Sequence, residues 1–376
     1  MPNVGSSVAH HFIVMKSRLY FVIAALLLIS QVAISQSMVI LFKDGTSQTY
    51  RVKDIDSIKI SSQEEEPDTF EQENIYFSKT SSSINIYIPA KNGQYICYPI
   101  LHKYKDFVEG NATSHYDTWG IENVYNVNKN GNAFTRLDQL FMVGEAEMAM
   151  RYILSDGNSY WVGGRHGNEV IERTENVMTI EADGTVYHEN DLINLKEVKD
   201  VIVRQQSLLY VPLTVDSVFG ILNKEWSFSD SGLKLSVKVT FCTDVNITAT
   251  YLNMVCLYRH LNGSVDEPYL SRYAYKDNEP EARYVVEDGW ENLLENDNLK
   301  KRDKDCYSIS TVGDNGFTCV IRTLKDTRTA SGGMFIGTNN NKYNKIYSTY
   351  CSRPTALQAG DTISAVTTWQ LDWDPI

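Results

Sequence analysis

Residues 233–242 read LKLSVKVTFC: Leu233, Leu235, Val237, Val239 and Phe241 alternate with Lys234, Ser236, Lys238 and Thr240. That period of two is the mark of a strand with one buried and one wet face. The texture recurs in SINIYIPA (83–90), DVIVRQQSLLYVPLTV (200–215), ITATYLNMVCLYR (247–259), CYSISTV (306–312), FTCVIRTL (317–324), KIYSTYC (345–351) and DTISAVTTWQLDW (361–373). Gly, Asn, Asp or Ser turns bound each run. Only LDQLFMVGEAEMAM (137–150) and WENLLENDNLKK (290–301) have helix-forming composition. About ten strands with no βαβ alternation predict a mainly β fold, a large antiparallel β-sandwich of jelly-roll or concanavalin-like type. No fixed-period repeat supports a propeller or solenoid.

The chain has 376 residues, a net charge of −12, 43% hydrophobic and 22% charged residues, enough for one large core and a small appendage. The negative balance, without a Lys/Arg block, argues against a nucleic-acid surface. Its 23 tyrosines suit half-buried pleated surfaces, which is the reading composition favours, with an aromatic sugar-binding surface as the sharper alternative. Residues 15–37, MKSRLYFVIAALLLISQVAISQS, have Lys16 and Arg18, an apolar run from Leu19 to Val32, and small residues near Ser35. This order predicts a cleaved secretory signal peptide within 1–36, with translation starting at Met15. The destination is periplasmic or extracellular. The run is short for a membrane span and none follows, so no stable membrane insertion is expected.

Residues 37–62 form the next unit, in which two alternating strands flank Asp44-Gly45, a hairpin signal. Lys43-Asp44-Gly45, Tyr50, Val52 and Ile55-Asp56-Ser57-Ile58 resemble the short segment that follows the signal peptide in many exported Bacteroidetes proteins. The resemblance covers some two dozen residues and implies an address, not an activity. Residues 63–74 read as an acidic linker, and 75–376 as the sandwich domain.

Six cysteines in an exported chain permit any of 15 pairings. Cys242 with Cys256, and Cys306 with Cys319, flank turns as partners across a hairpin would. Free buried thiols are the alternative. The absence of C-x-x-C speaks against a cysteine zinc site, and EADG with HEND lacks the spacing of a calcium loop. No metal ligand is assigned, and calcium is left without a motif.

The densest chemistry lies in SYWVGGRHGNEV (159–170). Gly163-Gly164 permits a bend or a close approach, and Arg165, His166, Asn168 and Glu169 supply a cation, a titratable ring, an amide and a carboxylate. His166 and Glu169 diverge along a strand unless the chain bends at Gly167. A turn with solvated polar side chains is the plain alternative. On the 200–215 strand, Arg204, Gln206 and Tyr210 share a face that would suit sugar hydroxyls. Arg259 and His260, His115, and His188 read as surface groups.

Exported, aromatic-rich and built of jelly-roll strands, the chain resembles the lyases and hydrolases that gut-type Bacteroidetes use on glycans. That resemblance implies a glycan partner and a polysaccharide lyase. His166 is then the base, Tyr210 the acid, and Arg165 or Gln206 the group neutralising a uronate carboxylate. Glu169, Trp161, Asn168 and Arg204 complete the candidate site, and Arg151, Arg165, Arg204 and Arg259 are the cations available for a basic groove. A hydrolase would pair Glu169 with Glu145, Glu147 or Glu172. The competing reading is a non-catalytic glycan binder stacking sugars on Tyr160, Trp161 and Tyr210, or a structural adhesin or phage-tail-like module.

Overall fold

The computed structural model describes residues 37–41, 47–51, 73–109, 112–142, 147–163, 172–174, 178–285, 302–340 and 342–373. The chain divides into two units, Met1–Phe70 and Glu71–Ile376. In the first, β1 (Ser37–Leu41) and β2 (Ser47–Arg51) pair antiparallel with Met38 opposite Tyr50.

The second unit begins with β3 (Ile75–Lys79), β4 (Ser83–Pro89), β5 (Tyr95–Glu109) and β6 (Ala112–Ile121), each antiparallel to the next. β7 (Tyr125–Asn130) pairs with β5 and with β8 (Ala133–Gln139). Short strands follow: β9 (Glu147–Ile153), β10 (Ser159–Val162), β11 (Glu172–Thr174), β12 (Thr179–Ala182), β13 (Thr185–His188) and β14 (Ile193–Val198). The long strands are β15 (Val201–Tyr210), β16 (Val218–Ser229), β17 (Gly232–Phe241) and β18 (Val245–Tyr258). The chain closes with β19 (Tyr273–Lys276), β20 (Glu279–Val285), β21 (Ser308–Val312), β22 (Phe317–Asp326), β23 (Gly333–Asn340), β24 (Tyr343–Cys351), β25 (Thr355–Leu357) and β26 (Thr362–Trp373).

The opening stretch of the sequence is β17, and its apolar positions are buried while Lys234 and Lys238 are exposed. It lies within the antiparallel run β15-β16-β17-β26-β22, which turns one apolar face inward. A smaller sheet, β10-β9-β18-β24-β23 with β25 on β18, packs against that face. Tyr152 of β9 meets Phe219 of β16 at 4.9 Å, and the Trp369 indole N–H of β26 donates to Asn253 Oδ1 of β18 at 2.7 Å. The β3–β6 ladder closes over the other end, where Tyr98 meets Phe228 at 5.7 Å. It joins the main sheet where β11 runs parallel to β6, Arg173 beside Asp117, and antiparallel to β15. The fold is thus the expected antiparallel β-sandwich with a short N-terminal hairpin. Among the described residues no helix is long and apolar enough to cross a membrane.

Two expectations are corrected. The described parts of 137–150 are not helical: 137–139 end β8 and 147–150 open β9, where Met148 and Met150 are fully buried. Burial in the sandwich outweighs helix propensity there. The second candidate helix, 290–301, lies outside the described residues. All six cysteines are free thiols, five of them buried. Cys256 stands opposite Lys345 while Cys242 sits exposed in the β17–β18 turn; Cys319 stands opposite Thr311, and Cys306 precedes β21. The registers therefore hold neither hairpin pair face to face.

A thiol-reactive reagent should label the native protein at one cysteine, Cys242, and all six after unfolding. Protection of Cys242 without reductant would show that it is disulfide-bonded.

Candidate functional site

On β15, Gln205 and Ser207 point inward and Arg204 and Gln206 outward. Directly opposite Gln205 on β16 is Lys224, 4% exposed. Its ammonium donates to the Trp119 carbonyl at 2.7 Å and lies 3.4 Å from both Glu147 Oε2 and Glu172 Oε1. Glu147 Oε1 also accepts from the Trp226 indole at 2.7 Å and the Ile121 N–H at 2.8 Å. Glu172 Oε1 accepts from the hydroxyls of Thr118 at 2.6 Å and Ser207 at 2.9 Å, while the Gln205 amide donates to Thr118, Thr174 and Ser207. Gly120 leaves room for this carboxylate, since a Cβ there would lie 3.1 Å from Glu147 Oε2. Burial raises the Glu147 carboxyl above its ordinary range against the opposing pull of Lys224. Two of the carboxylates considered for glycoside hydrolysis thus converge, but in the interior around a lysine. Their work is to hold β6, β9, β11 and β16 together.

The outward face of β15 borders a groove of about 360 Å³, lined by Thr179, Arg204, Gln206, Asn223, Glu225 and Lys238 among others. Arg204 and Gln206 do share this face. Arg204 is already engaged by Glu225 at 2.8 Å and Glu181 at 3.1 Å, and Gln206 donates to Asn223 at 2.9 Å. Tyr210 does not join them, because the register shifts between Leu209 and Tyr210 and the ring is buried. It lies instead beneath the Arg173 guanidinium, 5.0 Å from its centroid.

Arg173 leads to the second cluster, at the corner where β11 meets β6. His102 of β5 donates or accepts through Nε2 at 2.8 Å from Asp117 Oδ1, and both side chains are about a third exposed, at 29% and 30%. The imidazole stacks on Trp119, its cross-strand partner, at 4.7 Å and 13°. Below, the Trp119 indole donates to Glu189 Oε1 at 3.3 Å. The Asp117 hydrogen bond, aided by the Asp117 and Glu189 charges, lifts the His102 pKa against partial burial. Tyr104, opposite Asp117, is exposed, and its hydrogen bond to Asp106 raises its hydroxyl pKa. Arg173 Nε is buried with no hydrogen-bond partner. A base, an acid and a cation thus gather on three adjacent strands. None of His102, Tyr104, Asp117 and Arg173 stood out in the sequence.

Of the SYWVGGRHGNEV stretch, Arg165, His166, Asn168 and Glu169 lie outside the described residues, as does Glu145. The described part is β10 and Gly163, which has φ +70° and no room for a Cβ, the Met148 methyl lying 2.6 Å from it. Trp161 and Arg151 are on the small sheet. Arg259 and His260 are structural: Arg259 is buried beside Asn344, and His260 Nδ1 bonds the Glu267 carbonyl at 2.8 Å. His188 is exposed at the end of β13, opposite Thr179. Among the described residues no group of three or more His, Cys, Asp or Glu side chains is placed to hold a metal ion.

No family model matches the sequence, and no curated protein is similar to it. Among solved structures, a galactose mutarotase-like protein from Clostridium acetobutylicum aligns with a TM-score of 0.36 and 7% identity, over 80% of this chain and 99% of that one. A protein from Synechocystis aligns with a TM-score of 0.31 and 8% identity, over 85% of this chain and 100% of that one. These are distant likenesses of outline and carry no chemistry.

Removing one partner from a buried ion cluster strands the others, so Lys224→Met should cost about 3–5 kcal/mol in denaturant unfolding. Adding Glu172→Gln should restore part of that loss. In an NMR titration His102 should show a pKa above 6.5, and Asp117→Asn should lower it.

Proposed function

We propose that this is an exported glycan-active enzyme that cleaves an acidic polysaccharide by β-elimination at the His102 corner. The observation that carries the reading is the His102–Asp117 pair standing next to Arg173, whose buried Nε lacks a partner. The sequence pattern of export and the abundance of aromatic residues support the same class.

In such a reaction the C5 proton of a uronate is weakly acidic until its carboxylate is neutralised. Arg173 supplies that neutralisation, and a guanidinium suits a planar carboxylate geometrically. Asp117 fixes the imidazole with its proton on Nε2, which leaves the Nδ1 lone pair to take the C5 proton. As the C4–O4 bond breaks, its electron pair goes to the leaving oxygen and the C4–C5 double bond forms. Tyr104 gives its proton to that oxygen, since a phenol carries its proton at neutral pH. The products are an unsaturated uronate and a new reducing end.

Neutral imidazole is the active form. Activity should therefore rise with pH through a His102 pKa above 6.5 and flatten beyond it. Any stability that His102 gains from Asp117 runs the other way: full below 6.5 and lost as pH rises through the folded-state pKa. Absorbance at 235 nm on a panel of acidic polysaccharides should reveal an active substrate. On it His102→Gln should lose at least about 100-fold in kcat with little change in Tm. An unaltered rate in His102→Gln would remove His102 from the reaction. Reducing ends released without absorbance at 235 nm would replace elimination by hydrolysis.

A further inference from the structure

The small sheet turns its second face away from the core, and that face is aromatic. Trp161 of β10 stacks on Tyr251 of β18 at 5.7 Å and 21°. Tyr251 meets Tyr347 of β24 at 4.4 Å, and Tyr347 stacks on Phe335 of β23 at 4.6 Å and 14°. Four strands of the sheet, β10, β18, β24 and β23, thus carry one run of rings, which passes over β9, where the small Ala149 stands opposite Tyr251. Its inner end is fixed, Phe335 and Tyr347 being buried with Met254, whereas Trp161 and Tyr251 are only half-buried.

Cations flank this run at both ends. The exposed Arg151 lies 5.9 Å from the Trp161 centroid, and Arg302 lies 4.8 Å from that of Phe335. Arg302 also hydrogen-bonds the Tyr251 side chain, while its own Nε is buried without a hydrogen-bond partner. Among the described residues, the charges acting on the Tyr251 hydroxyl are those of Arg302 and Arg151. In a chain of net charge −12, the described groups place two guanidiniums on this aromatic surface.

We infer that this face is a second, non-catalytic binding platform for an acidic sugar unit, with a sugar ring laid against Trp161 and its carboxylate or sulfate between Arg151 and Arg302. Flat C–H faces match aromatic rings, and an anionic group matches the two guanidiniums. A neutral sugar would leave both arginines unanswered, and a purely apolar partner would bury them unpaired. The choice of ligand class rests on the proposed function. The platform nonetheless shares no residue with the His102 corner, so a polymer could be held at one place and cut at another.

The test is tryptophan fluorescence of the full chain, titrated with trigalacturonate, trimannuronate and a heparin hexasaccharide, with maltotriose as the neutral control. Trp119, Trp226 and Trp369 are fully buried, which makes Trp161 a principal reporter. At least one acidic probe should bind, more weakly at high salt. Arg151→Gln, at an exposed position that cannot disturb the core, should weaken that binding at least fivefold. Trp161→Ala should weaken it at least tenfold, and His102→Gln should leave it unchanged. Equal binding of maltotriose, failure of all three acidic probes, or wild-type affinity in Arg151→Gln would overturn the inference. Loss of binding in His102→Gln alone would assign the affinity to the catalytic corner instead. Cleavage that persists without any response of these variants would sink the platform while sparing the proposed reaction.

Discussion

The Lys224 ammonium, enclosed by Glu147, Glu172 and the Trp119 carbonyl, is the interaction on which the rest of the domain depends. Its four contributing strands, β6, β9, β11 and β16, belong to the N-terminal ladder, the small sheet and the main sheet. Apolar packing alone would let these layers slide, because dispersion contacts are weak one at a time and tolerant of shifts. A desolvated charge is not tolerant. Each carboxylate must meet its donors within a few tenths of an ångström or suffer a large desolvation cost. The cluster also forces local concessions: Glu147 takes a left-handed φ of 73°, and Gly120 must remain small beside it.

That constraint sets the geometry of the corner above it. Thr118 is held by Glu172 on the inner side of β6, so Asp117 and Trp119 on either side of it are turned to the other face. Glu172 likewise anchors β11 and directs Arg173 toward Asp117. The half-exposed His102–Asp117 pair therefore rests on a rigid base, as acid–base chemistry requires. Its strands are tied to the core by charge rather than by shape alone.

Strands were highly legible in the sequence, because β17, β22 and β26 write the buried and wet faces in strict alternation. The helix-forming composition of 137–150 misleads at its described ends, because Leu, Met, Glu and Ala fit both states and burial of Met148 and Met150 decides for strand. On β15 the alternation separated Arg204 and Gln206 from Gln205 and Ser207 correctly. It gave no sign that the second pair is the one facing the charge cluster. Arg204 and Gln206 meet on one surface as expected, while a register shift carries Tyr210 to Arg173 instead. His102 and Asp117 were invisible as a pair, being 15 residues apart with no motif between them. The signal available was the alternation on either side of 109–112: once Glu109 pairs with Ala112, His102 falls opposite Trp119. Arg173 could not be found this way, since its link to β6 is a parallel contact between distant segments.

The most direct measurement is the NMR signal of the His102 imidazole while an acidic oligosaccharide, the substrate class of the proposed reaction, is added at fixed pH. The account predicts that the His102 ring resonances move on saturation and that the pKa of the ring shifts in the bound state, because a carboxylate held at Arg173 lies within reach of it. Resonances of His102 that stay in place while the bound substrate turns over would contradict the account.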